Sequence, residues 1–327
     1  YSAQREEKKA FEKLVQYGDT SLNVSIHIIW YNKKFRGLFV ALQRFNDVED
    51  RQHNARLRLL NRGYTAKYTF DDIIGESQVM VETCRMARKM AKTNSAIVIT
   101  GESGTGKELL ASAIHNASLR ASGPYIAINC AAMPENLLES ELFGYENGAF
   151  TGAKKGGKLG LFECAHGGTL FLDEMEGMSP ALQVKLLRVL QSKTFEKVGS
   201  SKTISVDVRI IAATNRDLEG MVQDGTFRQD SYYRLNVLPL NVPPLRNRRE
   251  DIEPLAQFFC HKFSSEVKKN FVGFSDDALA VLHSYYWPGN VRELENTIER
   301  ACVLGKPPLI RADDLRFSHI RTPSDCS

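Results

Sequence analysis

The 327-residue chain has no apolar run of about 18 residues, the length a membrane-crossing helix needs, so no transmembrane helix is expected. No charged start followed by an apolar segment opens it, so no secretion leader is read. Together these absences predict a cytoplasmic protein without a membrane partner. The first residue is Tyr1, not Met, so the sequence reads as a piece of a longer protein. Cysteine is scarce. Cys84, Cys130, Cys164, Cys260, Cys302 and Cys326 show no C-x-x-C spacing and no accompanying His cluster, which argues against a zinc site. Cys130 and Cys164 stand among small or apolar residues and are expected to be reduced, buried thiols. Internal repeats and low-complexity tracts are also missing. Neither charge sign dominates: 43 Lys and Arg against 39 Asp and Glu leave +4, which neither demands nor excludes a nucleic-acid partner. The remaining composition, 43% hydrophobic and 25% charged, is that of a globular chain.

Residues 1–62 read differently from the rest. Leu22, Val24, Ile26, Ile28 and Trp30 alternate with other residues, the period of a strand. Tyr31 to Lys34 makes a turn, and Phe35 to Phe45 reads as the returning strand of a hairpin. From Asp47 to Asn61 the chain turns polar, with Val48, Leu57, Leu59 and Leu60 as apolar points. A connector helix is predicted there, a candidate for dimer formation. A hairpin and one helix are too little for an independent core, so this part is expected to be the end of a sensory domain.

Residues 63–74 form a linker. From 75 to 241, the apolar runs Ala96–Thr100, Tyr125–Asn129, Thr169–Leu172 and Val208–Ala212 alternate with helical segments. That alternation predicts an α/β sheet covered by helices on both faces. Val242-Pro243-Pro244 breaks the pattern, and residues 242–310 read as a small helical domain. Its helices are expected at Asp251–Val267, Asp276–Tyr286 and Asn290–Leu304, with Ser275 as a cap and Trp287 to Asn290 as a turn. Residues 311–327 are a tail.

Gly101, Glu102, Ser103, Gly104, Thr105, Gly106 and Lys107 follow a strand and precede the helical run Glu108–Asn116. Glycines let the backbone curl until successive N–H groups face phosphate oxygens, and the helix start adds its positive dipole end. Lys107 supplies charge to the β- and γ-phosphates. A Gly-rich turn that binds nothing is the bland alternative, and the strand-turn-helix context weighs against it. Position 108 is Glu, where a Ser or Thr usually donates its hydroxyl to Mg²⁺. Metal holding must then lean on waters and a second acidic site. The run Thr169 to Glu174 supplies one: Asp173 is placed to hold Mg²⁺, and Glu174 to polarise the attacking water. Val208 to Asn215 is another strand ending in polar residues. Asn215 either senses the γ-phosphate, orients the water, or is an ordinary strand-end turn residue.

Residues Phe70 to Leu309 resemble the AAA+ domain of the sigma-54-dependent transcriptional activators, the bacterial enhancer-binding proteins. The segment GESGTGKE carries Glu108, as this family does. The most specific match is Gly148, Ala149, Phe150, Thr151, Gly152 and Ala153, preceded by Glu141-Leu142-Phe143-Gly144. In the family this GAFTGA sequence tips a loop that touches the sigma-54 factor, and Phe150 is its only large apolar group. The resemblance implies a P-loop AAA+ parallel sheet, helices on both faces, and a helical lid. It also implies that Asn129 pairs with Glu174 and couples nucleotide state to the loop. Phe227 to Leu235 resembles the family's FRxDLYYRL segment, with Ser231 in place of Leu. Arg228 and Arg234 match the candidate arginine fingers that reach a neighbouring subunit's ATP. Arg292, in WPGNVREL, matches the sensor arginine of the lid, and Ile73, Ile74 and Gly75 sit where the linker borders the adenine. Phe195 to Asp207 resembles a second surface loop. Residues 1–62 resemble the end of a PAS domain and its signalling helix.

The implied function is a homo-oligomeric ATPase, a hexamer when active and a candidate dimer when inactive. It would use ATP and Mg²⁺ to remodel RNA polymerase carrying sigma-54. No helical pair able to enter a DNA groove follows the third lid helix, so this stretch is not expected to read DNA sequence. Besides a fragment that hydrolyses ATP but activates nothing specific, two rival readings stay open. One is an AAA+ motor with another protein client, which has no need of GAFTGA. The other is an interaction module that binds nucleotide without hydrolysing it.

Overall fold

The computed structural model describes residues 11–17, 20–31, 34–44, 64–149 and 157–317. The chain divides into two compact units, Tyr1–Gly63 and Tyr64–Ser327.

In the first unit three strands, β1 (Phe11–Tyr17), β2 (Thr20–Tyr31) and β3 (Lys34–Arg44), form an antiparallel sheet in sequence order. The hairpin of β2 and β3 follows the alternation at 22–30, with a register shift between Ile29 and Trp30. The strand β1, paired from Phe11↔Ile26 to Tyr17↔Thr20, was missed in the sequence. The predicted helix Asp47–Asn61 lies outside the described residues.

The second unit is built on a five-stranded sheet. Its strands are β4 (Ile97–Thr100), β5 (Tyr125–Asn129), β6 (Thr169–Asp173), β7 (Arg209–Thr214) and β8 (Leu238–Asn241). Their order is β8-β4-β7-β6-β5 and every pairing is parallel. Side chains alternate across a strand, and here both faces are covered. Ile97, Ile99, Phe171, Ile211 and Ala213 pack on one face with Ala87, Leu110 and Ile114. These last come from the helices α1 (Gln78–Ala91) and α2 (Lys107–Asn116). Val98, Ile126, Ile128, Leu170, Leu172 and Ile210 pack on the other with Leu138, Leu142, Leu182 and Leu186. Leu182 and Leu186 belong to α3 (Pro180–Ser192). Burial on both faces is why these strands read as unbroken apolar runs.

The fifth strand, β8, was not anticipated because Pro239 interrupts it. It lies at the sheet edge, where a missing N–H costs no ladder bond on the open side.

The short helix α4 (Gln229–Leu235) packs on α3 and leads into β8. The lid follows, with helices α5 (Ile252–Glu266), α6 (Asp276–Ser284) and α7 (Asn290–Leu304) around its own core. Trp287 is fully buried there and its indole N–H donates to the Leu282 carbonyl at 2.9 Å. Ser275 occupies the N-cap position of α6 as expected, but its hydroxyl donates to the Ile310 carbonyl at 3.2 Å and makes no side-chain cap bond. Cys130 is buried, whereas Cys164, expected to be buried, is only partly so.

Candidate active site at the strand ends

Because the strands are parallel, their carboxyl ends share one edge, where ligands of such sheets bind. The fold brings residues named separately in the sequence to that edge. The loop Gly101–Gly106 follows β4, Asn129 ends β5, Asp173 ends β6 and Asn215 follows β7. The Gly101 amide donates to the Thr214 carbonyl at 3.3 Å, which ties the loop to the end of β7.

Two glycines set the loop's shape. Gly104 has φ +78° and Gly106 φ +102°, both in the region that side-chain-bearing residues avoid. No atom lies within 4 Å of where a Cβ on Gly106 would stand. Gly106 is the N-cap of α2, so no protein atom crowds that side of the helix's amino end. Such an end is a ready site for a phosphate. The Lys107 ammonium donates to the carbonyls of Gly101 at 2.7 Å and Glu102 at 3.0 Å. Burial pulls it below the ordinary lysine range, and the Asp173 carboxylate opposes that pull. Thr105 donates its hydroxyl to the Glu102 carbonyl at 2.8 Å. Glu108 is exposed in the first turn of α2.

Asp173 accepts the Glu174 amide at 3.0 Å. Burial raises its pKa above the usual carboxylate range, and the Glu174 amide and Lys107 oppose this. Glu174 has φ +49°, a left-handed conformation that costs a non-glycine residue about 1 kcal/mol or more and often marks a functional corner. Asn129 stands opposite Asp173 in the β5–β6 register. Its side-chain oxygen accepts the Ala131 amide at 2.9 Å. Among the described residues no hydrogen bond joins Asn129 to Glu174, and the Ala131 bond leaves the Asn129 amide nitrogen as the donor such a pairing would use. Asn215 is exposed just beyond β7.

Among the described residues no group of three or more His, Cys, Asp or Glu is arranged to hold a metal ion. Mg²⁺ does not need such a group, since it is held by one or two carboxylates together with phosphates and waters. A half-buried Asp173 beside open space at the start of α2 fits it. A bound Mg²⁺ would neutralise charge on the phosphates.

The lid is hydrogen-bonded to the loop Gly101–Gly106. The Val291 and Arg292 amides donate to the Gly104 carbonyl at 3.0 and 3.3 Å, and the Arg292 guanidinium donates to the Ser103 hydroxyl at 3.2 Å. Asn290, fully buried, donates to the Glu102 carboxylate and the Ser103 carbonyl, each at 3.1 Å, and accepts the Leu245 amide at 2.8 Å. Arg246 forms a two-pronged pair with Glu102. Buried Arg248 donates to the Thr105 carbonyl at 2.9 Å. Sequence reasoning found Arg292 and missed Asn290, Arg246 and Arg248. The available signal was the cation-rich stretch Leu245 to Arg249 directly after Pro243-Pro244.

The linker crosses the seam between the two cores. Ile73 packs on the sheet and Ile74 on the lid. Gly75 leads into Glu76 and Ser77, whose amides both donate to Asp251 at 2.7 Å.

The two finger candidates occupy different places. Arg228 is the N-cap of α4, and its guanidinium donates to Asp230 at 3.0 and 2.7 Å. Arg234 lines a cavity with Asn94, Ser95, Ala96 and Val208, which precede β4 and β7. It therefore stands at the edge of the sheet opposite the phosphate loop. Ser231 fits its position: it is fully buried and its hydroxyl donates to the Gln183 carbonyl at 3.4 Å.

Of the GAFTGA sequence, Gly148 and Ala149 are described, and Phe150, Thr151, Gly152 and Ala153 lie outside the described residues. The segment stands on a stem in which Gly144–Tyr145 pairs antiparallel with Lys158–Leu159. The stem is tied to the second surface loop, since Glu146 donates to Val198 and Val198 to Gly144, at 3.1 and 3.0 Å. That second loop is a short hairpin of Thr194–Glu196 and Thr203–Ser205.

Comparison with known proteins agrees with this architecture. Residues 73–241 match the sigma-54 interaction domain and residues 246–326 the AAA+ ATPase lid domain. The chain is 52% identical to the regulatory protein AtoC of Escherichia coli over 79% of its own length and 56% of AtoC. It is also 52% identical to a Nif-specific regulatory protein of Herbaspirillum seropedicae, over 84% of its length and 50% of that protein. It thus spans about half the length of these curated relatives. NtrX of Brucella abortus, solved in complex with ATP, superposes with a TM-score of 0.69 at 42% identity, covering 78% of this chain and 58% of NtrX. With its sheet, lid and phosphate loop in the matching order, the chain belongs to the sigma-54-dependent transcriptional activator family.

Proposed function

We propose that this chain is the ATP-hydrolysing motor of an activator that remodels RNA polymerase carrying the sigma-54 factor. The observation that carries the reading is the convergence of Lys107, Asp173, Glu174 and Arg292 on one sheet edge, beside the open amino end of α2. ATP is the ligand such a loop suits, and NtrX, a similar protein, has been solved with it. The loop amides and Lys107 bind phosphates, Asp173 holds Mg²⁺, and Glu174 orients and polarises the attacking water. Arg292 and Ser103 bring the lid to the phosphates.

Subunits assemble into a ring, a hexamer in the active state, with ATP between neighbours. Arg228 or Arg234 supplies transition-state charge in trans, a role worth about 10³–10⁵ in rate in GTPases. The GAFTGA loop, with Phe150 and Thr151, engages sigma-54. Support comes from a packed route between site and stem. The Cys130 amide donates to the Asp173 carbonyl at 2.9 Å, and the Ser179 hydroxyl bonds the Glu135 carboxylate. Glu135 opens the helix Glu135–Phe143 that ends at the stem. A shift at Glu174 can thus reach the loop through packed elements. The protein works in the cytoplasm, and residues 1–62 are the end of a PAS-type sensor.

The test is ATP turnover against protein concentration, for the wild type and Glu174→Gln. Specific activity should rise as rings form, and Glu174→Gln should keep nucleotide binding and lose turnover. Binding without turnover in the wild type would leave a nucleotide-locked interaction module.

A further inference from the structure

We propose that Gln183 is the positioning residue that holds Arg228 ready for the neighbouring subunit. This rests on the reading of Arg228 as a finger supplied in trans. Gln183 lies in α3 and is 1% exposed. Its amide nitrogen donates to the carbonyls of Met178 at 3.0 Å and Thr226 at 3.4 Å. Its amide oxygen accepts the backbone N–H of Arg228 at 2.9 Å. A buried amide costs free energy unless its donors and acceptor are satisfied, and this one spends them on main-chain groups of two other segments.

Both segments matter to the chemistry. Met178 ends the short turn Met175–Gly177 that follows Glu174, and the Gly177 amide donates back to the Glu174 carbonyl at 3.0 Å. Arg228 is the N-cap of α4, where the first N–H groups have no helical acceptor. Gln183 takes one N–H at this helix start and fixes where the arginine leaves the backbone. Asp230 then holds the guanidinium by two bonds. The result is a continuous route within one subunit, from Glu174 through Met178 and Gln183 to Arg228. The finger offered to the next site is thereby anchored to the segment that serves the subunit's own site. The turn after Glu174 keeps its own Gly177 bond without Gln183, whereas the Arg228 amide loses its acceptor, so loss of Gln183 should be felt at the neighbour's ATP and not at its own.

Mixed rings of the full chain separate those two sites. In the reference mixture, Lys107→Ala subunits, which keep the finger but cannot bind nucleotide, are combined with Arg228→Ala subunits, which bind but lack the finger. Turnover above either component alone reports fingers acting across the interface. Gln183→Met is then added to the Lys107→Ala subunits in one mixture and to the Arg228→Ala subunits in another. Turnover should fall about tenfold or more in the first, the scale of a displaced catalytic group, and match the reference in the second. Equal loss in both mixtures, or loss in neither, overturns the proposal. A reference mixture with no recovery shows instead that Arg228 is not a trans finger, and the positioning role falls with it. Gln183→Asn, one methylene shorter but still an amide, is expected to behave as Gln183→Met and decides the question if that variant fails to fold.

Discussion

The Arg246 guanidinium of the lid and the Glu102 carboxylate of the phosphate loop face each other through paired N–H···O bonds, one of them 2.7 Å. Arg246 also lies over the Tyr286 ring, 4.8 Å from its centroid. The pair is partly exposed, so its worth is about 1 kcal/mol, near a fivefold change in an equilibrium constant. Arg246→Ala should weaken binding of a fluorescent ATP analogue by about that factor. Arg246→Lys should restore little, because an ammonium cannot reproduce the two-pronged geometry. An unchanged dissociation constant would show that the lid does not set the loop through Glu102.

Gly104 and Gly106 should separate folding from binding. A Cβ on Gly104 would stand 2.4 Å from the Gly289 carbonyl oxygen, so lid and loop must part. With its left-handed φ, Gly104→Ala should cost about 2 kcal/mol or more, seen as a fall of about 5 °C or more in Tm. Gly106→Ala meets no protein atom and carries only the backbone cost. It should lose nucleotide binding with the smaller fall in Tm. Calorimetry and an ATP-analogue titration check both.

His115 should make stability depend on pH. It is buried, hydrogen-bonded to the Thr169 hydroxyl at 2.9 Å and packed on Tyr125. Burial, and then the Arg209 charge, lower its pKa from 6.5 to about 4. The folded state thus prefers the neutral ring. Its contribution is complete above about pH 6.5 and is lost as pH falls toward about 4, where the unfolded chain takes the proton first. The loss should approach roughly 3 kcal/mol. Denaturant titrations at pH 7.5 and 4.5 should show it, and His115→Gln should flatten that part of the profile.

Ser231 should contribute modestly to stability. Its hydroxyl bond to the Gln183 carbonyl is long, so Ser231→Ala should cost about 1 kcal/mol or less in a urea titration. A loss of several kcal/mol would mean that α3 and α4 depend on this polar contact more than its geometry suggests.

Much of the α/β fold was legible because both faces of the sheet are buried, so Ile97–Thr100, Tyr125–Asn129 and Thr169–Asp173 announce themselves as apolar runs. The phosphate loop was legible because glycines at fixed offsets before Lys107 have a backbone reason. The strand at Leu238–Asn241 was hidden by Pro239, whose tolerance depends on an edge position that no local pattern reveals. Gln183, Asn290 and Arg246 escaped for a different reason. Their meaning lies in partners 45, 188 and 144 residues away in sequence. A polar residue on an otherwise apolar helix face, such as Gln183 between Leu182 and Leu186, gives only a hint that something must satisfy it.

The most direct test of the central claim is binding of purified sigma-54 in the presence and absence of ATP, using Glu174→Gln to hold the nucleotide. Sigma-54 should be captured by the ATP-loaded variant, released without nucleotide, and lost when Phe150→Ala is added while ATP binding is kept. Capture that ignores nucleotide, or survives the loss of Phe150, would contradict a motor whose ATP site drives this loop onto sigma-54.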